Sequence, residues 1–271
     1  MASEERYARH VGLFGAAGQQ KIGAAGVVVT GLGGLGAHVV QQLAYLGVRR
    51  FLLIDDDRVS SSNLNRLIGA VEDSIGRAKV EVAAEMIEAI QPTASIEVVE
   101  GPFDPDLPEL AVSFTVLFGC VDKDPPRLDL VRFTSARRLP YIDLASDVAP
   151  TGEFGGRIVF AKDGERCLSC LDELDQHALA RAGMNADQLA ADDRIYGIDR
   201  DALDDTGPSV VSINGAVASL AVTEFLVWIT GLRDPRGHLV YRGDLATVGS
   251  RVDPPRGFCH YCMDLWGHPQ D

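Results

Sequence analysis

Residues 27–66 read VVVTGLGGLGAHVVQQLAYLGVRRFLLIDDDRVSSSNLNR. The apolar run at 27–30 predicts a buried strand, which leads directly into the glycine-rich turn at 31–36. Apolar residues then recur at helical spacing, and a second apolar run at 51–54 ends at Asp55. This order of strand, glycine turn, helix and strand predicts the opening βαβ unit of a Rossmann-like, doubly wound α/β fold.

The glycine turn and the acid that follows it predict a nucleotide-binding site. Glycines permit the tight turn, let backbone amides approach a phosphate, and let the helix pack closely on its strand. The helix N-terminus then directs its partial positive charge at the anion. Asp55 follows the last glycine by about 20 residues, the distance at which an acid accepts hydrogen bonds from ribose hydroxyls. The residues assigned to the nucleotide on these grounds are Gly31, Gly33, Gly34, Gly36 and Asp55.

The residues from Asp55 onward indicate which nucleotide chemistry the site performs. They read DDDRVSSSNLNR at 55–66 and GRAK at 76–79. Together with the GLGGLG turn, these segments resemble the ubiquitin-activating-enzyme superfamily, in particular its ThiF/MoeB/HesA branch, whose pattern is GxGGLG, DxDxVxxSNLxRQ and GxxK. The resemblance runs from Arg6 to Cys262. It implies adenylation of a C-terminal carboxylate by ATP, with release of pyrophosphate.

The resemblance also implies roles for individual side chains. Arg66 and Lys79 match residues that contact the phosphates of ATP. Arg9 matches an arginine that reaches the nucleotide from the partner subunit of a homodimer. Asp57 and Asn63 match residues that support the nucleotide or phosphate environment.

Asp122 comes just beyond the carboxyl end of a predicted strand at 115–119, where α/β sheets bind ligands. Carboxylate oxygen is also the ligand type that Mg²⁺ prefers. The matching aspartate of the family handles the Mg²⁺ of ATP, although Lys123 replaces the usual asparagine here. Arg127 either matches a recurrent family arginine or is a charge on a helix face. The implied catalytic residues are Arg9, Arg66, Lys79 and Asp122.

Two CxxC pairs predict a metal site that joins distant parts of the chain. Each pair places two sulfurs on one knuckle, and a tetrahedral zinc ion accepts two knuckles. Disulfide bonds are the alternative, which a reducing compartment disfavours. Four protein ligands leave no open position on the metal, so the predicted role is structural. The predicted zinc ligands are Cys167, Cys170, Cys259 and Cys262.

The fifth cysteine, Cys120, is interpreted as a small buried residue. Many activating enzymes transfer the acyl group from AMP to a nucleophilic cysteine, but the crossover loop predicted at 171–207 contains none. We therefore predict adenylation without an obligatory enzyme thioester.

The whole chain, 1–271, is interpreted as a single adenylation domain. It comprises an N-terminal arm at 1–25 and the acidic crossover loop, which includes a short helix near 174–182. An apolar helix, with Ser209 as its cap, and a C-terminal β-hairpin complete the predicted mostly parallel sheet with its zinc staple. The helix is predicted at 210–230, further strands at 95–100, 140–144 and 153–162, and the hairpin strands at 239–242 and 246–252.

The charge and hydropathy of the chain exclude two classes of partner. A net charge of −14 argues against nucleic acid and against an anionic membrane surface, since both need a basic face. Asn214 and Glu224 interrupt the most apolar stretch, 208–232, which predicts a buried core helix and not a membrane span. The first ten residues are polar and charged, with no apolar segment typical of a secretory signal. We expect a soluble, cytoplasmic protein.

The implied substrate is a ubiquitin-like or sulfur-carrier protein that ends in Gly-Gly. One alternative is a peptide-modifying relative that adenylates a peptide natural product, although such relatives often carry an N-terminal peptide clamp. A second alternative is a scaffold that senses ATP without turning it over. An NAD-dependent oxidoreductase is a third, but it has no use for the SSSNLNR segment or the zinc staple.

Overall fold

The computed structural model describes residues 5–106, 113–149, 151–185, 188–189, 208–251 and 257–267. Within these ranges the strands form one eight-stranded sheet in the order β3-β2-β1-β4-β5-β6-β7-β8. The first five strands in this order run parallel, and β6, β7 and β8 each pair antiparallel to their neighbours. The strands are β1 (Gly26–Thr30), β2 (Arg50–Asp55), β3 (Ser95–Glu100), β4 (Val116–Gly119), β5 (Tyr141–Val148), β6 (Phe154–Ala161), β7 (His238–Arg242) and β8 (Thr247–Ser250).

The helices connect the parallel strands and cover the sheet. In the described ranges they are α1 (Ala8–Ala24), α2 (Gly34–Leu46), α3 (Lys79–Ile90), α4 (Asp124–Ala136), α5 (Gln176–Ala182) and α6 (Val211–Thr230). Helix α1 contains a kink at Gly15, where φ is +70°. Helix α2 joins β1 to β2, α3 joins β2 to β3, and α4 joins β4 to β5, so the first part of the chain is a series of βαβ units.

Each face of the sheet has its own hydrophobic core, because successive residues of a strand point to opposite faces. Val27 and Val29 of β1 lie in the core that contains residues of α2, α3 and α6, whereas Val28 lies in the core that contains residues of α4. All five residues of β1 are buried, as expected for a strand covered by helices on both sides. The predicted doubly wound, mostly parallel sheet is confirmed.

Strand β5 extends beyond the end predicted at Leu144. Its second half continues to Val148 because it pairs antiparallel with β6, where Ser146 faces Gly156 and Val148 faces Phe154. The predicted C-terminal hairpin is also present as β7 and β8, with Arg242 opposite Thr247 next to the turn.

Helix α6 is the one helix in the described residues that is long and apolar enough to cross a membrane by length and composition. It packs in the core of this fold, where Val217 and Phe225 are fully buried. Its two polar interruptions, Asn214 and Glu224, are buried as well. These observations agree with the predicted core helix. Gly231, with φ of +76°, ends the helix.

The prediction that Ser209 caps α6 is wrong. The N-cap position is Val210, and no side chain makes a capping hydrogen bond there. The Ser209 hydroxyl instead accepts a hydrogen bond of 3.0 Å from the side-chain amide of Asn214. This hydroxyl is therefore engaged by a side chain of the helix and not by a backbone amide.

The predicted acidic loop at 171–207 is described only at 171–185 and 188–189. The short helix predicted in it is present as α5, and Asp175 is its N-cap, accepting from the backbone amides of His177 at 2.8 Å and Ala178 at 3.2 Å. The other residues of the predicted loop lie outside the described ranges.

Candidate functional site

The carboxyl ends of β1, β2 and β4 lie side by side because the three strands are paired in parallel. Thr30, the last residue of β1, faces Ile54 of β2 on one side and Gly119 of β4 on the other. The segments that leave this edge are the glycine turn, the loop that begins at Asp55, and the turn that contains Asp122. Ligands of doubly wound sheets bind at such an edge.

Two glycines of the turn, Gly31 and Gly36, make contacts that leave no room for a side chain. Gly31 has φ of +81°, and a Cβ atom there would lie 2.7 Å from the carbonyl oxygen of Cys120. A Cβ at Gly36 would lie 1.9 Å from the carbonyl oxygen of Gly31. Gly33 differs, because a Cβ there would meet open space within 4 Å. Gly33 is the N-cap of α2 and no side chain caps this helix, so the first amides of α2 are available to an anion such as phosphate.

Asp55, at the end of β2, is buried and holds the glycine turn to the following loop. One carboxylate oxygen accepts from the backbone amide of Leu32 at 2.5 Å, and the other accepts from the amide of Asp57 at 2.8 Å. Burial raises the pKa of Asp55 above its ordinary value, while the charge of Lys79 and the two amide hydrogen bonds oppose that shift. Each oxygen keeps a lone pair for another donor.

Lys79 begins α3 and forms an ion pair with Asp57, with 2.6 Å between Nζ and Oδ2. The backbone amide of Lys79 also donates to the Asp57 carbonyl at 3.0 Å. Lys79 is 9% exposed. The start of α3 is thereby tied to the loop after β2 through both backbone and side chain.

The SSSNLNR segment forms a compact turn that presents Arg66 to the glycine turn. The side-chain oxygen of Asn63 accepts from the amide of Ser60 at 3.1 Å, which closes a short 3₁₀ turn at Ser61–Asn63. The Arg66 guanidinium donates to the carbonyl of Ser62 at 2.6 Å. Its Cδ atom lies 3.7 Å from the position that a Cβ of Gly34 would occupy, so Arg66 flanks the beginning of α2.

Asp122 and Arg9 are both exposed. Asp122 lies in the turn between β4 and α4 at the same sheet edge, and no hydrogen bond or ion pair within the described ranges engages its carboxylate. Arg9 lies near the start of α1, a helix that packs against α6 and α2. Within the same ranges no hydrogen bond or ion pair joins Arg9 to the other predicted site residues of this chain.

A chain of buried charges lies directly behind the Asp122 turn. Asp143 of β5 is fully buried and pairs with Arg127 of α4 at 2.6 Å and with Arg157 of β6 at 2.5 Å. Tyr141 donates its hydroxyl to Asp143 at 2.8 Å. Burial alone would lower the pKa of Arg127, but facing acidic groups, chiefly Asp143, outweigh it, and the pKa is raised. Arg127 is therefore a buried partner of Asp143 and not a charge on an exposed helix face.

The four predicted zinc ligands come together in the core that contains residues of α4. Their sulfur atoms all lie within 4.8 Å of one another. Individual Sγ–Sγ distances are 3.8 Å for Cys167–Cys170, 3.7 Å for Cys167–Cys259 and 3.3 Å for Cys170–Cys262. A tetrahedral zinc ion with bonds of about 2.3 Å places its sulfurs about 3.8 Å apart. The cluster could hold zinc, and all five cysteines are free of disulfide bonds.

Hydrogen bonding from Cys167 lowers the pKa of Cys262 to about 5. This is the direction expected of a zinc ligand, because cysteine binds zinc as the thiolate. His260, which lies inside the second CxxC pair, is half exposed and contacts Asp264 at 2.9 Å.

An open groove of about 380 Å³ lies on the antiparallel part of the sheet. Residues of β5, β6 and β7 line it, together with the segment after Cys170; they include Ala145, Gly155, Arg157, Glu173, Tyr241 and Arg242. Strand β6 runs antiparallel to β5, so its first residues lie beside the carboxyl end of β5. The groove is therefore at the same sheet edge as the glycine turn and Asp122.

Several residues of this edge were missed by the sequence analysis. Asn214 is buried against Gly34, where an added Cβ would lie 2.2 Å from its amide nitrogen, and it accepts from Ser146 of β5 at 2.8 Å. Asp143 is an acid inside an otherwise apolar strand segment, and that isolated charge was the available signal. Nothing in the local sequence identifies Arg157 or Glu173 as its companions.

The family profile that matches the chain is described as the ThiF family and covers residues 7–248. The SAMP-activating enzyme E1 of Haloferax volcanii is 36% identical over 48% of this chain and 50% of that protein. The adenylyltransferase and sulfurtransferase MOCS3-1 of Zea mays is 32% identical over 95% of this chain and 51% of that protein. The chain thus spans about half the length of these curated relatives.

The fold matches the crystal structure of E. coli MccB with a TM-score of 0.71, covering 96% of this chain and 72% of that one at 20% identity. That identity supports a shared fold alone. The family profile spans most of the chain and includes the glycine turn, the SSSNLNR segment and Lys79. The chain belongs to the ThiF family.

Proposed function

We propose that the protein activates the C-terminal carboxylate of a ubiquitin-like or sulfur-carrier protein by adenylation with MgATP, releasing pyrophosphate. The observation that carries the proposal is the meeting, at one sheet edge, of an uncapped helix N-terminus with Asp55, Arg66 and Lys79. A relative that matches 95% of the chain is named an adenylyltransferase and sulfurtransferase, which supports the same chemistry.

The reaction joins a carboxylate oxygen to the α-phosphorus of ATP and breaks the bond to the pyrophosphate oxygen. Both reactants are anions, so catalysis consists chiefly of neutralising charge and aligning the two groups. Arg66, beside the start of α2, and Lys79, at the start of α3, supply positive charge to the phosphates. Asp55 accepts from the ribose hydroxyls, and Asn63 and Asp57 hold Arg66 and Lys79 in their positions.

Asp122 suits a magnesium ion carried by ATP, because its carboxylate is exposed at the ligand-binding edge and offers the hard oxygen that Mg²⁺ prefers. When bound, Mg²⁺ would neutralise phosphate charge and so assist departure of pyrophosphate. Arg9 is exposed on α1 and would act on the nucleotide of the partner subunit in a homodimer.

The carboxylate substrate would arrive through the groove over β5, β6 and β7. This groove lies on the same edge as the nucleotide residues and is open to solvent. An extended Gly-Gly tail suits this approach, because glycines bring the backbone close to the nucleotide without side-chain bulk.

The acyl adenylate would leave the enzyme without an enzyme thioester. Cys120 is buried at the end of β4, and burial, reinforced by Asp143, raises the pKa of its thiol. A thiol in that environment is a poor nucleophile, because the thiolate is the reactive form. The other four cysteines, Cys167, Cys170, Cys259 and Cys262, would hold a structural zinc ion. We place the protein in the cytoplasm, where unpaired thiols persist.

Carrier-dependent pyrophosphate release tests this function. The protein is incubated with MgATP and a carrier ending in Gly-Gly, and the same carrier lacking its last glycine serves as the control. We expect release only with the intact carrier. Release driven by a short peptide and by no carrier would favour the peptide-modifying alternative, and ATP binding without release would favour the scaffold.

A further inference from the structure

The turn that carries Asp122 comprises residues 121–123, between strand β4 and helix α4. The backbone amide of Cys120 makes the last hydrogen bond to the sheet, to Thr30 at 2.8 Å. Helix α4 starts at Asp124 without a side-chain cap. An anchor on the residues between these two points would hold the Asp122 carboxylate in one place.

Arg127 supplies that anchor. Its guanidinium donates to the carbonyl oxygen of Val121, the residue before Asp122, and lies 3.6 Å from the carboxylate of Asp124. Arg127 is 4% exposed, so these bonds form away from water, where they are stronger than at a surface. One buried side chain thus contacts the backbone before Asp122 and the side chain of Asp124 after it.

Asp143 in turn fixes Arg127. It accepts from Arg127 at 2.6 Å, and the same guanidinium nitrogen donates to the Leu144 carbonyl at 3.1 Å. The second Asp143 oxygen accepts from Arg157 at 2.5 Å. The sign of the charge alternates from Arg127 to Asp143 to Arg157, and a buried charge without its partner is strongly unfavourable. The geometry of Arg127 therefore depends on Asp143.

The chain of buried charges continues to the segment that follows Cys170. Arg157 pairs with Glu173 at 2.9 Å and donates to its carbonyl oxygen at 3.1 Å. Glu173 stands three positions after Cys170. A second connection runs from the amide of Asp175 to the carboxylate of Asp124 at 2.7 Å. The segment at 173–175 is thus tied to the Asp122 turn at two separate points.

We propose that Asp143 and Arg127 are positioning residues that hold Asp122 in place for the magnesium ion of MgATP. Through Arg157 they also link this position to the segment 173–175, which follows Cys170. The inference rests on the proposed function, because the magnesium role of Asp122 belongs to that proposal. It assigns no contact with substrate to Asp143 or Arg127. Both act through the Asp122 turn.

The consequence is a specific defect in magnesium use. Groups that orient a metal ligand from behind change metal affinity on the order of 10- to 100-fold when they are replaced. Asp143→Asn weakens the hold on Arg127, and Arg127→Lys keeps the positive charge but loses the forked geometry that reaches Asp143 and Val121 together. Both variants should bind ATP normally in EDTA and lose most of the additional affinity that Mg²⁺ provides.

The test is a calorimetric titration of ATP into the whole protein, performed once with Mg²⁺ and once with EDTA. The measured quantity is the ratio of the two dissociation constants. Asp122→Asn defines the full loss of the magnesium effect. Glu224→Gln is the matched control, because Glu224 is also buried and bidentate to an arginine, at 2.6 and 2.8 Å from Arg233, but lies at the far end of α6. Melting temperatures of all variants are measured in parallel.

We expect the ratio to fall on the order of tenfold in Asp143→Asn and Arg127→Lys and to stay unchanged in Glu224→Gln, even where melting temperatures fall alike. Folded variants that keep the wild-type ratio would overturn the proposal, as would an unchanged ratio in Asp122→Asn. If Asp143→Asn does not fold, Arg127→Lys decides, and failure of both to fold while Glu224→Gln folds would show a purely structural role. If the wild type shows the magnesium effect but never releases pyrophosphate, the proposed function is refuted. The positioning roles of Asp143 and Arg127 are then still decided by the ratios of dissociation constants in their variants.

Discussion

The Nζ atom of Lys79 lies 2.6 Å from Oδ2 of Asp57, and the two side chains differ widely in exposure, at 10% for the lysine and 66% for the aspartate. The pair spans the ends of two segments, since Asp57 follows β2 and Lys79 begins α3. A cation that is nearly buried and held by an exposed acid is preorganised for an anion arriving from solvent, which is how charge stabilisation is most effective.

The two partners of this pair should respond differently to substitution. Lys79→Met leaves the exposed carboxylate of Asp57 without its partner and removes a charge that favours ionised Asp55. Because the Asp57 carboxylate is solvated and Asp55 can take up a proton, the free energy of unfolding should fall by less than in Asp57→Ala, while adenylation falls on the order of a hundredfold or more. Asp57→Ala leaves a buried ammonium group without its partner and should cost on the order of 1–3 kcal/mol. Urea unfolding and pyrophosphate release measure the two effects. Equal destabilisation by both variants would show that the exposure of the pair does not govern its energetics.

Arg66→Ala should slow adenylation on the order of a hundredfold while leaving the fold intact, because one positive charge beside the phosphates is removed. The Arg66 side chain is partly exposed and makes its hydrogen bonds to its own turn, so its loss affects few other contacts. Arg132→Ala is the matched control, since Arg132 is an exposed arginine on α4 that pairs with Asp129. Unaltered ATP–pyrophosphate exchange in Arg66→Ala would remove Arg66 from the mechanism.

Asp55 should make stability depend on pH in a defined direction. Burial raises its pKa in the folded state above the ordinary value of 3.8. Its stabilising contribution is therefore complete below that ordinary value and is lost as the pH rises through the folded pKa. Asp55→Asn does not titrate, so the stability of the wild type relative to this variant should decline from acidic to neutral pH. Denaturant unfolding of both proteins across that range measures the difference, and a difference that grows with pH would mean that the folded state favours the ionised carboxylate.

Cys262→Ser should remove zinc and lower the melting temperature on the order of 10 °C, because metal binding contributes directly to folding free energy. We expect one zinc ion per chain in the wild type by elemental analysis. Cys120→Ala serves as the control, since Cys120 lies at the end of β4 and outside the four-sulfur cluster; it should retain zinc and adenylation. Zinc retained in Cys262→Ser would contradict a four-cysteine site.

Much of the nucleotide half of the fold could be predicted from the sequence because its determinants are local. The apolar runs of β1 and β2 are buried throughout or nearly so, and Gly31 and Gly36 between them are required by contacts within the turn or with the residue that ends the adjacent strand. The position of Lys79 at the start of α3 could also be predicted, since it follows from helical spacing. The pairing of Asn63 with the amide of Ser60 is equally local.

The charged cluster around Asp143 could not be predicted, because its members meet only in the folded chain. Arg127 and Arg157 lie 16 and 14 positions away from Asp143 on separate elements. Whether the arginine of α4 faced solvent or the core depended on how that helix sits on β5, which periodicity alone does not specify. The role of Ser209 was misassigned for a related reason: its hydroxyl is engaged by Asn214, a side chain within the helix it was expected to cap.

Intact-mass spectrometry of both reactants tests the central claim most directly. Carrier proteins that end in Gly-Gly are incubated with the protein, MgATP and pyrophosphatase, and Arg66→Ala is run beside the wild type. We predict a carrier that gains one AMP with the wild type only, while the mass of the enzyme stays unchanged. Carriers that remain unmodified although the protein binds MgATP would contradict the adenylation of a carrier, and a reducible enzyme–carrier adduct would contradict the absence of a thioester.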